Sequence, residues 1–376
     1  MAKKKKSFSS FLNNPMDFTL LIVILLLLTI GLIMVLSASS PSALSESGDS
    51  YKYFSKQLLF AILGVVAMLA ISKIDYRFYQ KFYKHSWILA FILLALVLVM
   101  GKNINGSKRW IYLTETLSFQ PSEFVKILMI IFYAGILTKN RDKLAKYKEG
   151  FIKHLCMIIP IIGLLMLQPH FSASIVIVGI CSIMMIVAGC KFKHFVATAG
   201  SIGVPGVIAL IMFSPYRLQR VVTFLNPWQD QTGDGWQVIQ SLYAIGSGGL
   251  FGVGLGDSKQ KYLYIPEPHN DFIFSILGEE LGFIGCAIVL ILFAIFIWRG
   301  VLVAMKAPDM FGSLLAVGIT SLVAIQVIIN VAVVTSSMPV TGMPLPFFSY
   351  GGTALFMLLC EMGVLLNISR ASNKQT

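Results

Sequence analysis

The sequence predicts an all-α polytopic membrane protein, and three observations support this fold class. Of the 376 residues, 56% are hydrophobic and only 12% are charged. The mean hydropathy is +0.79, a value that a water-soluble domain of this size does not sustain. Apolar segments of about 20 residues, the length that crosses a bilayer as a helix, recur along nearly the whole chain. We therefore expect about ten transmembrane helices in one bundle.

The charge pattern of the connections predicts the orientation of these spans. Twenty of the 30 lysines and arginines lie in alternate connections or at the termini, and the positive-inside rule makes those parts cytoplasmic. We predict a basic cytoplasmic N-terminus (1–17), a ten-helix domain (18–368) and a cytoplasmic C-terminus (369–376). The predicted spans are 18–37, 57–71, 87–100, 121–139, 154–168, 171–189, 196–213, 272–299, 311–335 and 347–368.

The net charge of +13 is explained by this orientation. Because the basic residues follow the membrane topology, they do not form the single patch that binds nucleic acid, and we expect no nucleic-acid partner. The five cysteines lie in or beside apolar segments and include no CxxC pair. They predict neither a disulfide framework nor a metal cluster.

The connection between the seventh and eighth predicted spans, residues 214–271, is long and is predicted to lie on the outer face. Its sequence GWQVIQSLYAIGSGGLFGVGLG starts with helical apolar spacing and ends in six glycines. This pattern predicts a short interfacial or re-entrant helix followed by a tight turn. A nucleotide-binding loop is not predicted, because Phe251 and Asp257 stand where the fingerprint requires glycine and no lysine-serine pair follows.

The stretch YIPEPHNDFIFSILGEELG places the carboxylate of Asp271 where this loop meets the eighth span. An ionisable side chain so close to hydrocarbon is costly and usually faces a cavity. In a regular helix Glu279 would border the same cleft, whereas Glu280 would point elsewhere and pair internally. The alternative is that Asp271 only caps the helix, since aspartate is a favourable N-cap residue.

Basic residues are scarce on the predicted outer face and lie in three clusters, which favours an anionic, phosphate-bearing ligand. Solvated loop charges or contacts with lipid headgroups are the alternative explanation for any one cluster. The clusters are Lys108 with Arg109, Arg217 with Arg220, and Lys259 with Lys261.

Two further motifs predict a polar cavity within the bundle. In QPSEFVK, Glu123 and Lys126 are three residues apart and can pair, either as a structural ion pair or as part of the cavity wall. The segment MPVTGMPLPFFSYGGT contains three prolines and a Gly-Gly pair, which predicts a broken, cavity-lining element before the last span. Gln326 and Asn330, four residues apart in the ninth span, predict interhelical hydrogen bonds.

Six motifs occur in an order and spacing that resembles the SEDS family of FtsW, RodA and SpoVE. The likeness covers almost the whole chain, and FLNPW followed by QSLYAIG is most similar to the FtsW and SpoVE branch. The motifs are NGSKRW, QPSEFVK, FLNPW, QSLYAIGSGGLFGVGLG, PEPHNDFIF with GEELGF, and PFFSYGG.

The resemblance implies a peptidoglycan glycosyltransferase that polymerises lipid II on the outer face of the bacterial cytoplasmic membrane during division or sporulation. It also implies a class B penicillin-binding protein as partner, together with other division or sporulation membrane proteins. The aspartate of the family's PExxxDF motif falls on Asp271, and the charged pair of QPSExxK falls on Glu123 and Lys126. Asn270 departs from the threonine that is common in the family, but it is not ionisable.

The chemistry that follows assigns Asp271 as the general base for the acceptor 4-hydroxyl, in a single displacement that inverts configuration. Cationic groups would stabilise the leaving pyrophosphate; a divalent cation, Mg²⁺ or Mn²⁺, could share its charge, but no ligand cluster requires one. The candidate substrate-binding residues are Lys108, Arg109, Glu123, Lys126, Arg217, Arg220, Glu267, Glu279 and Ser349.

Two other functions stay open from the residues alone. A lipid II flippase would need alternating access and often carries internal repeats; the sequence shows no convincing duplication, and its conspicuous residues lie on one predicted face. A scaffold that only activates the penicillin-binding protein would tolerate the loss of Asp271.

Overall fold

The computed structural model describes residues 15–104, 107–112, 118–229, 233, 235–262 and 264–372. Within these residues, nine helices are long and apolar enough to cross a membrane, and they correspond to nine of the ten predicted spans. Their bounds, with the shorter helices between them, are as follows. The first half of the chain contains α1 (Phe18–Ser47), α2 (Lys52–Ile71), α3 (Arg77–Lys81), α4 (Tyr83–Met100), α5 (Pro121–Lys139), α6 (Lys153–Leu167) and α7 (Phe171–Ala188). The second half contains α8 (Phe192–Thr198), α9 (Val204–Met212), α10 (Pro215–Leu225), α11 (Trp236–Gly248), α12 (Ile273–Met305), α13 (Met310–Val334) and α14 (Gly352–Ser372).

The seventh predicted span is helical but interrupted. A π-helical turn, Ala199–Gly203, joins α8 to α9, so the two helices form a consecutive run in place of one long α-helix. A second π-helical turn, Tyr147–Ile152, precedes α6. The domain is otherwise a single helical bundle, as the sequence predicts.

A small antiparallel sheet, which the sequence analysis did not predict, follows α4. Its strands are β1 (Lys102–Ile104), β2 (Ser107–Tyr112) and β3 (Ser118–Phe119), in the order β1-β2-β3. Lys102 pairs with Trp110, and Ile111 pairs with Phe119. The sheet therefore places β2 beside the start of α5.

The inner layer of the bundle is formed by α5, α13 and α14. In their most apolar stretches 61%, 67% and 67% of the residues are buried, against 22% in α2, α4 and α12. α14 packs on α2, α5 packs on α4 and α13, and α12 packs on α13 and α11. The outer helices thus present apolar side chains to lipid, while α13 and α14 provide the interior wall of a central space.

The glycine-rich turn after α11 inserts into a break in α12. At Gly282 the backbone leaves the helix, with φ 66° and ψ −166°. The freed groups find partners in the turn: Phe283 N donates to Gly249 O at 2.9 Å, and Gly254 N donates to Glu280 O at 3.1 Å. Because unpaired peptide groups are costly in an apolar interior, the turn and the helix break stabilise each other. The loop thus contains a helix, α11, followed by the glycine-rich turn; the interfacial or re-entrant position of that helix stays a prediction.

Two adjacent acids of α12 anchor the rest of the loop. Glu279 accepts hydrogen bonds from Ser258 Oγ at 2.5 Å and from Lys259 N at 2.9 Å. Glu280 pairs with Lys261 at 2.9 Å and accepts from Ser37 of α1 at 2.6 Å. The internal pairing predicted for Glu280 is confirmed. The prediction that Lys261 belongs to an outer phosphate-binding cluster is wrong, because its ammonium is buried in this ion pair.

Replacing Gly252 with alanine is expected to destabilise the protein. An added Cβ would lie 2.1 Å from the carbonyl oxygen of Glu280, and the φ of +81° disfavours any L side chain. The free energy of unfolding should fall by about 2 kcal/mol or more, measured by thermal unfolding in detergent. Gly246→Ala is the matched control, since nothing lies within 4 Å of that position. Equal losses in the two variants would contradict the close packing of the turn.

Replacing Lys261 with methionine is expected to lower stability by about 3–5 kcal/mol, because it leaves the carboxylate of Glu280 buried and unpaired. The two side chains are only 4% and 0% exposed. The loss should be partly reversed in the double variant Lys261→Met/Glu280→Gln. Lys259→Met, at an exposed neighbouring position, serves as the control. A double variant less stable than Lys261→Met alone would refute this account.

Candidate active site

A cavity of about 660 Å³ lies at one end of the bundle. The N-terminal halves of α2, α5, α7 and α14 and the residues that precede α12 meet there with the C-terminal half of α13. The segment 335–351, between α13 and α14, contains no helix or strand and forms much of the wall. Gly342, Met343, Pro344, Phe347 and Ser349 of this segment line the cavity, which confirms the predicted broken, cavity-lining element.

Asp271 lines this cavity in the turn that precedes α12. It does not cap the helix, because Phe272 occupies the N-cap position and no side chain accepts a hydrogen bond there. The backbone around it is fixed instead. Asn330 Nδ2 donates to Asp271 O at 2.7 Å and to Met343 O at 2.8 Å, and Ser349 Oγ donates to Asn270 O at 2.6 Å.

These bonds hold the residue while leaving its carboxylate available to the cavity. The hydrogen bonds of Asn330 therefore join α13 to the turn before α12 and to the broken segment, and not to another helix as the sequence analysis predicted. Gln326 also reaches the broken segment, through a 3.9 Å contact with the sulfur of Met343, and it lines the cavity as well.

The electrostatic surroundings of Asp271 favour its protonated form. Burial raises the pKa of Asp271 from an ordinary value of 3.8 to about 6, and Glu267 adds to this increase. The backbone N–H of Asp271 and the guanidinium of Arg220 oppose it. A carboxyl whose pKa lies near neutrality can both accept and release a proton, which suits general base catalysis.

Cationic groups line the same cavity from three other elements: α2, which contributes Lys56, α5 and β2. On α5, Lys126 pairs with Glu123 at 2.6 Å, and their side chains are 5% and 17% exposed. On β2, the guanidinium of Arg109 donates to Gln168 O at 3.4 Å and to Pro169 O. Arg109 is thereby fixed on the turn between α6 and α7. Burial and the charges of Arg109 and Lys126 lower the pKa of His170 to about 3, so this imidazole is neutral.

The sequence-predicted residues are only partly brought together. Arg220 does not line the cavity, but it donates to Val340 O of the broken segment at 2.7 Å and interacts electrostatically with Asp271. Lys108 is exposed and donates to Leu98 O at 3.3 Å. The side chain of Arg217 falls outside the described part of the structure. The predicted site residues that line the cavity are Arg109, Glu123, Lys126, Glu267, Asp271 and Ser349.

Glu279 requires a correction. The sequence analysis placed it beside Asp271 in one cleft, but it is buried and accepts hydrogen bonds from Ser258, Lys259 and the backbone of Gln260. The reason is the segment 258–260, which follows the glycine-rich turn, lies against α12 and donates its hydrogen bonds to the carboxylate. Glu279 anchors the loop and does not line the cavity.

The sequence analysis missed several residues of the cavity wall. Lys56, Gln120 and His170 contribute polar groups, and their positions near helix starts gave no distinctive signal. Glu361, inside α14, did give one, because an acidic residue within an apolar span is a functional candidate on energetic grounds. Among the described residues, no three histidine, cysteine or acidic side chains are grouped so that they could hold a metal ion.

The fold and the cavity define a multi-pass membrane protein with a charged pocket at one end of its helical bundle. The chain belongs to the FtsW/RodA/SpoVE family. The sequence profile of this family, described as cell cycle protein, matches residues 18–374, and the match includes every element that contributes to the pocket.

Individual relatives are similar over nearly their full length. The stage V sporulation protein E of Bacillus subtilis (strain 168) is 48% identical, over 95% of this chain and 97% of the relative. A probable peptidoglycan glycosyltransferase FtsW of Trichlorobacter lovleyi is 42% identical, over 94% and 93% of the two chains.

Solved structures share the fold. A chain from a peptidoglycan synthase complex, in which polymerization and crosslinking are coordinated, superposes with a TM-score of 0.79 at 28% identity, covering 95% of this chain and 98% of that chain. The rod shape determining protein RodA of Thermus thermophilus superposes with a TM-score of 0.71 at 25% identity, covering 94% and 97%.

Proposed function

We propose that this protein is a peptidoglycan glycosyltransferase, which polymerises lipid II into glycan strands during cell division or sporulation. The observation that carries the proposal is the position of Asp271: a carboxyl with a raised pKa, held by its backbone on the wall of a cavity that also contains Arg109 and Lys126. The name of the FtsW relative supports the same activity, and the name of the Bacillus subtilis relative supports a role in sporulation.

The proposed reaction joins two lipid-linked saccharides. The carboxylate of Asp271 accepts the proton of the acceptor's 4-hydroxyl, and the resulting oxygen nucleophile forms a bond to the anomeric carbon of the donor. The bond between that carbon and the diphosphate breaks, and the lipid diphosphate leaves with the electron pair. One displacement without a covalent enzyme intermediate inverts the configuration at the anomeric carbon.

The leaving group determines what the rest of the site must supply. A departing diphosphate carries negative charge, and preorganised cations lower the free energy of the transition state in which that charge develops. Arg109 and Lys126 on the wall, with Arg220 at the broken segment, are the groups that would provide this stabilisation. Glu123 holds Lys126 in place.

A divalent cation is a separate proposal. Among the described residues, no three histidine, cysteine or acidic side chains are grouped to hold Mg²⁺ or Mn²⁺. Such an ion would arrive with the diphosphate of the substrate, and no step of the proposed reaction depends on it.

The proposed orientation follows from the charge pattern of the sequence. With both termini in the cytoplasm, the starts of α2, α5, α7, α12 and α14 that surround the cavity face the outside of the cytoplasmic membrane. This is the side on which the glycan is needed. A class B penicillin-binding protein that crosslinks the product is the proposed partner, with other division or sporulation membrane proteins around it.

Replacing Asp271 with asparagine is expected to abolish polymerisation, with a rate at least about 100-fold lower, because the amide cannot accept the proton. The measurement is glycan chain length on gels, with purified protein, its penicillin-binding partner and lipid II. Asp257→Asn, another acid of the same loop that does not line the cavity, should retain activity. Equal polymer from the wild type and Asp271→Asn would refute the assignment, and lipid movement without polymer would favour a flippase.

The rate of polymerisation should depend on pH through Asp271. The base works only when ionised, so the rate should fall as pH decreases through about 6 and level off above it. The pH dependence of the initial rate, between about pH 5 and 8, is the measurement. A rate that stays constant down to about pH 5, as an ordinary pKa of 3.8 would produce, would mean that the carboxyl is fully hydrated during turnover, against the burial described above.

A further inference from the structure

Glu361 is an acidic side chain within α14 that the proposed reaction does not use. It lies nine residues beyond the start of the helix, about 13 Å along its axis, and is only 3% exposed. Its Oε2 atom has no hydrogen-bond partner among the described residues. Since a buried polar atom without a partner costs free energy, this side chain requires a physical explanation.

The surroundings of Glu361 give that explanation. It lines the same cavity as Glu123 and Lys126, and these two residues are the charged groups that interact with its carboxyl electrostatically within the described structure. Leu322 and Leu358 are among the apolar side chains that line this cavity. In such surroundings a net charge is poorly solvated.

The cluster of Glu123, Lys126 and Glu361, here called the inner triad, contains two acids and one base. If all three were ionised, the triad would carry one uncompensated negative charge inside the bundle. Lys126 is already paired with Glu123 at 2.6 Å, so Glu361 is the acid that remains. The other charged groups lining the cavity lie in β2, in loops or near helix starts, and they are Lys56, Arg109, Glu267 and Asp271, with the neutral His170.

The triad is also asymmetric in its access to the cavity opening. Glu123 belongs to the first turn of α5 and is the most exposed of the three, at 17%. It is therefore the member that a ligand with hydroxyl groups reaches first. A carboxylate that accepts hydrogen bonds from such a ligand binds its ammonium partner less strongly. Lys126 is buried, so bulk water cannot take the place of that partner.

We propose that Glu361 is a positioning residue for Lys126, a second carboxyl that takes over the ammonium when Glu123 engages a polyhydroxylated ligand. In the resting state Lys126 donates to Glu123, and Glu361 holds a proton. On engagement, the O–H bond of Glu361 breaks, its proton passes through water in the cavity to the carboxylate of Glu123, and the carboxylate of Glu361 accepts from Lys126, so the net charge of the triad stays zero. The ammonium remains paired in both states. Only the identity of the ligand as a saccharide rests on the proposed function.

The first test needs no substrate. Infrared difference spectra of the full chain in detergent at neutral pH, wild type minus Glu361→Gln, should show the C=O stretch of one protonated carboxyl. In Glu123→Gln this band should be lost, because Lys126 then pairs with Glu361 and ionises it. Glu46→Gln removes an exposed carboxyl outside the cavity and should leave the band unchanged. Absence of the band in the wild type, or its persistence in Glu123→Gln, would overturn the proposal.

The comparison of wild type with Glu123→Gln gives the same answer even if Glu361→Gln does not fold, since the lost band identifies the proton that Glu361 held.

A second test uses polymerisation of lipid II. Each single variant should lose less than about tenfold in rate, whereas Glu123→Gln/Glu361→Gln should lose at least about tenfold more than the product of the single effects. If the loss in the double variant equals the product of the two single losses, the exchange of partners is contradicted. A protein that shows the infrared result but makes no polymer would count against the proposed function and still support this inference.

Discussion

The structure depends on one constraint: inside a membrane, each peptide N–H and C=O must find a partner within the protein. Regular helices meet it locally, so the positions where helices break determine the architecture. The two main interruptions described here are Gly282 in α12 and the segment 335–351 before α14. The glycine-rich turn supplies partners for the first, and Asn330 and Ser349 supply partners for the second. Both interruptions adjoin the elements that place Asp271.

In the site, the groups that hold Asp271 in place are different from the carboxylate that would react. Asp271 is held through its own carbonyl and that of its neighbour Asn270, by side chains of α13 and of the broken segment. Its carboxylate contributes little to this support, so it remains available to a ligand. The reverse applies to Glu279, whose carboxylate is fully used in holding the loop. Asp271 and Glu279, eight residues apart, therefore have different roles: the first faces the cavity, and the second holds the loop.

Much of this arrangement could be predicted from the sequence, because hydropathy and helix-breaking residues are local signals. They located nine of the long helices, the broken segment and the helix followed by a glycine turn. The task of Glu279 and the pairing of Lys261 could not be predicted, since both depend on the loop folding back onto α12. The short strands of the sheet gave too little alternation to be recognised. Glu361 was detectable as a charge within a span, but only the structure places it with Glu123 and Lys126 on one cavity.

The break at Gly282 divides α12 into a short part of nine residues and a longer part. The glycine-rich turn is bonded to both sides of the break, through Glu279 and Glu280 before it and through Phe283 and Ile284 after it. A displacement of the exposed Phe251 or Leu255 beside the turn therefore reaches both parts of the helix. The short part leads directly to Asp271, so the position of the turn and the position of the carboxyl are mechanically linked.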